Sequence, residues 1–170
     1  MSYFAKVRFV DPNFVFDIQT TSCKYKRFTR YFWCFGPLQK TYKLLRPVVV
    51  IGKTFLKGRY RGTLLTTIVI DPSNYIFPLV FLITDSKTTG SWRYFLEMFG
   101  YNFHGYDTRF VVISDKNPGI INVVPKVFPF AIHTFCAFYI SNNIKLPSKA
   151  RGSHLGWQQR PLPALILINT

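Results

Sequence analysis

The stretch VVVIGKTFLKGRYRGTLL, Val48 to Leu65, decides how this chain is read. Val48-Val49-Val50-Ile51 is an unbroken apolar run of the kind that forms a strand buried on both faces, and such strands commonly end where chemistry begins. This one ends in Gly52-Lys53-Thr54. A basic, glycine-bounded segment, Gly58-Arg59-Tyr60-Arg61-Gly62, separates it from a second apolar run, Thr63 to Ile70, so the pair reads as a hairpin. Gly-Lys-Thr also closes a phosphate-binding loop, but that pattern needs glycine five positions before Gly52, where Pro47 stands, and a helix where a hairpin is expected. Both counts argue against nucleotide hydrolysis.

Downstream, Asp71-Pro72-Ser73-Asn74 has the residues of a β-turn, and Tyr75 to Thr84 reads as a third strand, which completes an antiparallel meander. A helix follows, with Ser91 as its expected cap, Trp92, Phe95, Leu96 and Phe99 on one stripe, and Gly100 as its expected stop. Strand four runs from Arg109 to Ser114 and delivers Asp115 at its end. A second helix over Pro118 to Phe128 contains Pro125, which lacks an N–H and is expected to kink or break it. A fifth strand is expected from Ala131 to Ile140. This order predicts an α/β, ribonuclease-H-like fold with a mixed five-stranded sheet (three antiparallel strands, then two more), incomplete at its C-terminal end. In such a fold strands one and four lie side by side, so the end of the first strand meets Asp115.

Upstream, Val7 to Val10 and Phe14 to Ile18 read as short strands around the turn Asp11-Pro12-Asn13. From Lys24 to Lys43, basic residues alternate with Tyr25, Phe28, Tyr31, Phe32, Trp33 and Phe35. Such a segment could grip a nucleic-acid backbone and stack on bases. The preferred reading is an amphipathic segment that packs its rings on the core.

The length of 170 residues suits one domain, and 48% hydrophobic and 18% aromatic content favours a packed, strand-rich one over disorder. Charge stands out: 22 Lys and Arg against seven acids give a formal net charge of +15. That excess favours a polyanionic partner, or records a loss of acids. Cys23, Cys34 and Cys136 form no framework, so a reducing compartment is expected. The first residues, MSYFAKVRFV, lack the apolar core of a signal peptide, and no apolar run approaches the ~20 residues of a membrane span.

Several linked motifs occur in order: RPVVVIGKTFLKGRYRGTLLTTIVIDPSNYIFPLVFLITDSKTTGSWRYFL, then VVISDKNPGIINVVPKVFP, then HTFCAFYISNN. Over about Phe14 to Asn143 the chain resembles the central domain of Mutator-like element (MULE) transposases of plants. The resemblance implies a DNA cut-and-join enzyme of the DDE type, in which three carboxylates hold Mg²⁺ or Mn²⁺. It divides the chain into an N-terminal flank (residues 1–45), a ribonuclease-H-like core (46–146) and an unrelated tail (147–170). That tail, SKARGSHLGWQQRPLPALILINT from Ser148, has the character of sequence read past a truncated or misspliced frame and is expected to be poorly ordered.

The chemistry such a site requires is demanding. Two ions ~3.5–4 Å apart must activate one oxygen and stabilise another, and hard cations need oxygen ligands that lysine cannot supply. The family's first Asp falls on Gly52, with Lys53 beside it, and its second falls on Asp115. The acids of the chain are Asp11, Asp17, Asp71, Asp85, Glu97, Asp107 and Asp115, so no carboxylate side chain follows Asp115. Asp71 and Asp85 are more simply turn or capping residues. The family's Cys-x-x-His pair is also lost, since Tyr139 stands three residues after Cys136; His133 and Cys136 are a two-ligand remnant, too few for zinc. No bound cofactor is expected.

Nucleophilic catalysis has little support, because His133 and Cys136 face opposite sides of a regular strand, and His104 and His154 have no carboxylate partner in view. Two readings remain. One is a degenerate, catalytically inactive transposase fragment. The other is a nucleic-acid-binding module of the same fold that holds DNA through Lys53, Lys57, Arg59 and Arg61. Nuclear localisation follows from the resemblance and the basic charge, and no membrane association is expected.

Overall fold

Seven strands form a single mixed sheet in the order β1-β2-β5-β4-β3-β6-β7. The computed structural model describes residues 3–22, 26–58, 61–71, 73, 75–86, 88–104 and 109–136. The expected tail, the distal half of strand five, Arg59 and Asp107 lie outside them. The elements in chain order are α1 (Tyr3–Val10), β1 (Val15–Thr20), β2 (Phe28–Cys34), α2 (Gly36–Tyr42), β3 (Val48–Leu56), β4 (Gly62–Ile70), β5 (Ile76–Thr84), α3 (Thr89–Phe103), β6 (Val111–Ser114), α4 (Pro118–Val127) and β7 (Ile132–Phe135).

The meander β3-β4-β5 is antiparallel, and β6 and β7 add to it in parallel on the β3 side. The adjacency of strands one and four is therefore observed, with Val48, Val49 and Val50 opposite Val111, Val112 and Ile113. The five-stranded expectation is corrected to seven. β2 pairs antiparallel with β5, and β1 pairs with β2, so the basic-aromatic segment extends the sheet at its other edge.

Within β2 the pleat sorts the rings. Phe32 and Cys34 turn into the core, whereas Tyr31 and Trp33 share the opposite face, where Trp33 stacks on Tyr31 and on Phe81 at 4.8 and 4.9 Å. Between Thr67 and Ile68 the β4–β5 register slips, leaving Leu79 as the additional residue next to Pro78, which has no N–H to offer the ladder.

α3 and α4 pack side by side over one face of the sheet. Trp92, Phe95, Leu96 and Phe99 of α3 and Ile120, Val123 and Val124 of α4 bury against Phe32, Leu82, Leu65, Val49, Ile51 and Val112. The anticipated stripe on α3 is thus the core stripe.

Four local expectations are corrected. Val7 to Val10 belongs to α1, not to a strand. The cap of α3 is Thr88, whose side chain accepts the N–H of Ser91 at 3.2 Å, and Ser91 itself is buried inside the first turn. Gly100 does not stop α3, which runs to Phe103; a Cβ at Gly100 would sit 2.9 Å from the Phe128 ring, so the glycine permits close packing instead. α4 is not broken at Pro125 but continues to Val127, because proline falls in its last turn and disturbs few bonds beyond its own. Among the described residues no helix is long and apolar enough to cross a membrane.

Candidate functional site

The parallel register carries β3 and β6 to a common end. Val50 pairs with Ile113, and two residues further along the two segments stand Gly52 and Asp115. A Cβ built on Gly52 meets nothing within 4 Å, so the position has room for a side chain it lacks.

Lys53 occupies the other face of β3. Register links Asp17, Phe32, Leu82, Leu65 and Lys53 into one row across five strands, so the lysine stem continues a core-facing line. At its end the Lys53 ammonium donates to Oδ2 of Asp115 and forms an ion pair with it; the two side chains are only 20% and 21% exposed. The other carboxylate oxygen, Oδ1, accepts the N–H of Asn117 at 3.2 Å. Both oxygens of Asp115 are thereby engaged.

Neighbouring groups hold that arrangement in place. Asn117 caps α4, its side chain accepting the Gly119 N–H at 2.9 Å, with Pro118 at the first helical turn where its missing N–H costs nothing. Ser114 is buried, and its hydroxyl lies 2.9 Å from the carbonyl oxygen of Asp115 and 2.8 Å from Nε2 of His133, the His133 tautomer deciding which of the two donates in that second bond. Burial lowers the His133 pKa, so the ring is held neutral. Lys116 turns away, its ammonium 5.5 Å from the Phe135 ring centre.

The remaining described acids have local partners elsewhere. Asp71 closes the β4–β5 hairpin by accepting the Tyr75 N–H at 2.7 Å, at the opposite end of the sheet from Asp115. Asp85 follows β5, two strands across from β3, and accepts from Ser86 at 3.1 Å. Asp11 accepts the Gly36 N–H at 2.8 Å, Asp17 accepts from the Tyr94 hydroxyl, and Glu97 lies 3.8 Å from Arg93 on the surface of α3. Among the described residues no group of three His, Cys, Asp or Glu side chains converges as metal ligands, His133 and Cys136 included.

The other residues singled out from the sequence gather at the β3–β4 hairpin. Lys57 and Arg61 line an open cleft of about 680 Å³ with Phe55, Thr63, Asp85 and Ser86. Gly58 supports the turn with φ of +118°, a conformation that L side chains rarely adopt. Lys53 lies apart from this cleft, committed to Asp115, and Arg59 is outside the described residues.

The expected approach of Gly52 to Asp115 follows from the β3–β6 pairing, whereas the Ser114–His133 bond and the Asn117 contact were not anticipated from the sequence. The one available signal was topological: parallel pairing of β6 with β7 sets Val112 opposite His133, which brings the imidazole beside Ser114.

The family model for the MULE transposase domain matches residues 48–143, more than half of the 170-residue chain. No curated protein matches.

Proposed function

Because the chain belongs to the MULE transposase domain family, we propose that it is a ribonuclease-H-like transposase core, derived from a DNA cut-and-join enzyme, that no longer carries out the reaction. The observation that carries this reading is the pair of positions at the common end of β3 and β6. One is a glycine, and the carboxylate of the other is taken by a lysine and a backbone N–H.

The chemistry attributed to the family needs acids at both positions and a third downstream, so that Mg²⁺ or Mn²⁺ can be held by hard oxygen ligands. The residues present do not fit such an ion. A carboxylate already neutralised by an ammonium offers a divalent ion little net attraction, and no acid follows Asp115 in the 170 residues. Residues 46–146 are the proposed core, with 1–45 as its flank and 147–170 as a tail.

The test is strand cleavage of plasmid DNA by the full chain in millimolar Mg²⁺ or Mn²⁺. No nicking above that of Asp115→Asn is expected. Metal-dependent nicking that Asp115→Asn abolishes would overturn the reading.

A second reading, retention of nucleic-acid binding without catalysis, is favoured by the Lys57–Arg61 cleft and the net charge of +15. It makes DNA an electrostatic partner and the nucleus the compartment. Binding should then weaken steeply with salt, and Lys57→Ala/Arg61→Ala should flatten the log–log slope by roughly 1–2, near 0.9 per lost phosphate contact. A slope equal to that of the unsubstituted chain would exclude the hairpin as the contact.

A further inference from the structure

We propose that Lys53 is a tethered counter-ion. Its ammonium supplies, from within the chain, the positive charge that joins the end of β3 to the end of β6, and it keeps divalent cations out of the same place. The inference rests on reading the site as one that has lost its first carboxylate, and it extends that reading from loss to replacement.

Three observations converge. Lys53 lies on β3 and Asp115, 62 positions away, just after β6, so their ion pair ties β3 to the β6–α4 turn beyond the last ladder pair, Val50 with Ile113. Both side chains are about four-fifths covered, a setting in which an unpaired charge is far costlier than at the surface. The nearest alternative cation by sequence, Lys116, lies over the Phe135 ring. Asp115 therefore depends on Lys53 for neutralisation, and the apolar lysine stem belongs to the same sheet row as Leu65 and Leu82.

The energetics explain the exclusion. A divalent ion entering at Asp115 would have to displace the ammonium from one oxygen and remain close to it, with one protein carboxylate in place of several. Replacement of Lys53 by an uncharged residue of similar shape, together with a carboxylate at the open Gly52 position, removes both obstacles.

Thermal unfolding of the full chain tests this. Lys53→Met and Asp115→Asn are each expected to lower Tm by about 3–6 °C, and the double variant no further than the worse single one, because one interaction is lost in every case. Wild type should ignore millimolar Mn²⁺, whereas Gly52→Asp/Lys53→Met should gain stability as Mn²⁺ is added, since a ligand held only by the folded state raises Tm.

Additive losses in the cycle would overturn the counter-ion and leave the proposed loss of catalysis intact. A folded Gly52→Asp/Lys53→Met chain indifferent to Mn²⁺ would overturn the exclusion. A Tm rise of wild type in Mn²⁺ would overturn both this inference and the metal-free reading of the site. If Lys53→Met gives no cooperative transition, Lys53→Arg decides: a retained charge should hold Tm within about 2 °C, and a loss as large as that of Asp115→Asn would overturn the pairing.

Discussion

Val50 of β3 pairs with Ile113 of β6, the last pair of that parallel ladder, and Gly52 and Asp115 each stand two residues further along their own segments. One position bears a carboxylate and the other has no side chain at all. Gly52 is thus a glycine without a backbone reason: a Cβ there meets nothing within 4 Å, and its backbone is not in the left-handed region.

That contrast is testable against Gly62, where a Cβ would lie 2.9 Å from the carbonyl oxygen of Thr84 on the adjacent strand. Gly62→Ala should destabilise by about 1–3 kcal/mol, because backbone cannot retreat as a flexible side chain can. Gly52→Ala should be neutral or stabilise by up to ~1 kcal/mol through lower entropy of the unfolded chain. Denaturant midpoints at constant m-value measure both, and equal losses at the two sites would contradict the geometry.

Acid should loosen the fold through His104. Its Nε2 lies 2.5 Å from the Tyr42 hydroxyl, its ring stacks on Phe110 at 3.9 Å, and Phe99 and Phe128 close around it. Burial pushes its pKa down from 6.5 to about 4. The unfolded chain therefore takes up the proton first: stability is full above about pH 6.5, falls as pH drops from there towards 4, and levels off below. After discounting for partial exposure the loss is about 2 kcal/mol. His133, also lowered by burial, adds in the same direction. His104→Phe should remove the His104 share of the slope, read as the difference in unfolding free energy between pH 7 and pH 4.5; an unchanged slope would rule the ring out as its source.

Much of the fold was legible because β3, β4, β5, α3, β6 and α4 each have a period that local burial imposes. Trp92, Phe95, Leu96 and Phe99 repeat at helical spacing, and all four are buried. The N-terminal region was not legible. Val7-Arg8-Phe9-Val10 alternates as a strand would, yet it lies in α1. In β2, the alternation of Tyr31, Phe32 and Trp33 reflects two different apolar surroundings, the core and the stack with Phe81, which no local pattern distinguishes from an amphipathic segment. Its pairing with β5, some 50 positions away in the chain, is a tertiary event.

At the site, the adjacency of Gly52 and Asp115 followed from strand order alone. The engagement of Lys53 did not, since pleat alternation puts it on the opposite face from Gly52, and Asp115 lies just beyond the end of β6, where strand alternation no longer fixes the direction of its side chain. Likewise Gly100 has the form of a helix stop, but the Phe128 ring against it gives it a different purpose.

α4 offers the last prediction. Pro125 lies inside the helix on its exposed side, so the carbonyl of Ile121 has no N–H to accept from four residues on, although the helix continues and Phe128 donates to Val124 at 2.8 Å. An exposed proline packs little, so its replacement sacrifices few contacts. Pro125→Ala should restore the missing bond and raise stability by about 1–2 kcal/mol, the ~3 kcal/mol propensity gap being offset in part by greater freedom of the unfolded chain. The increase should appear in the denaturant midpoint together with a small gain in helical circular dichroism. A fall in stability would mean that the proline ring contributes to packing that its exposure does not suggest.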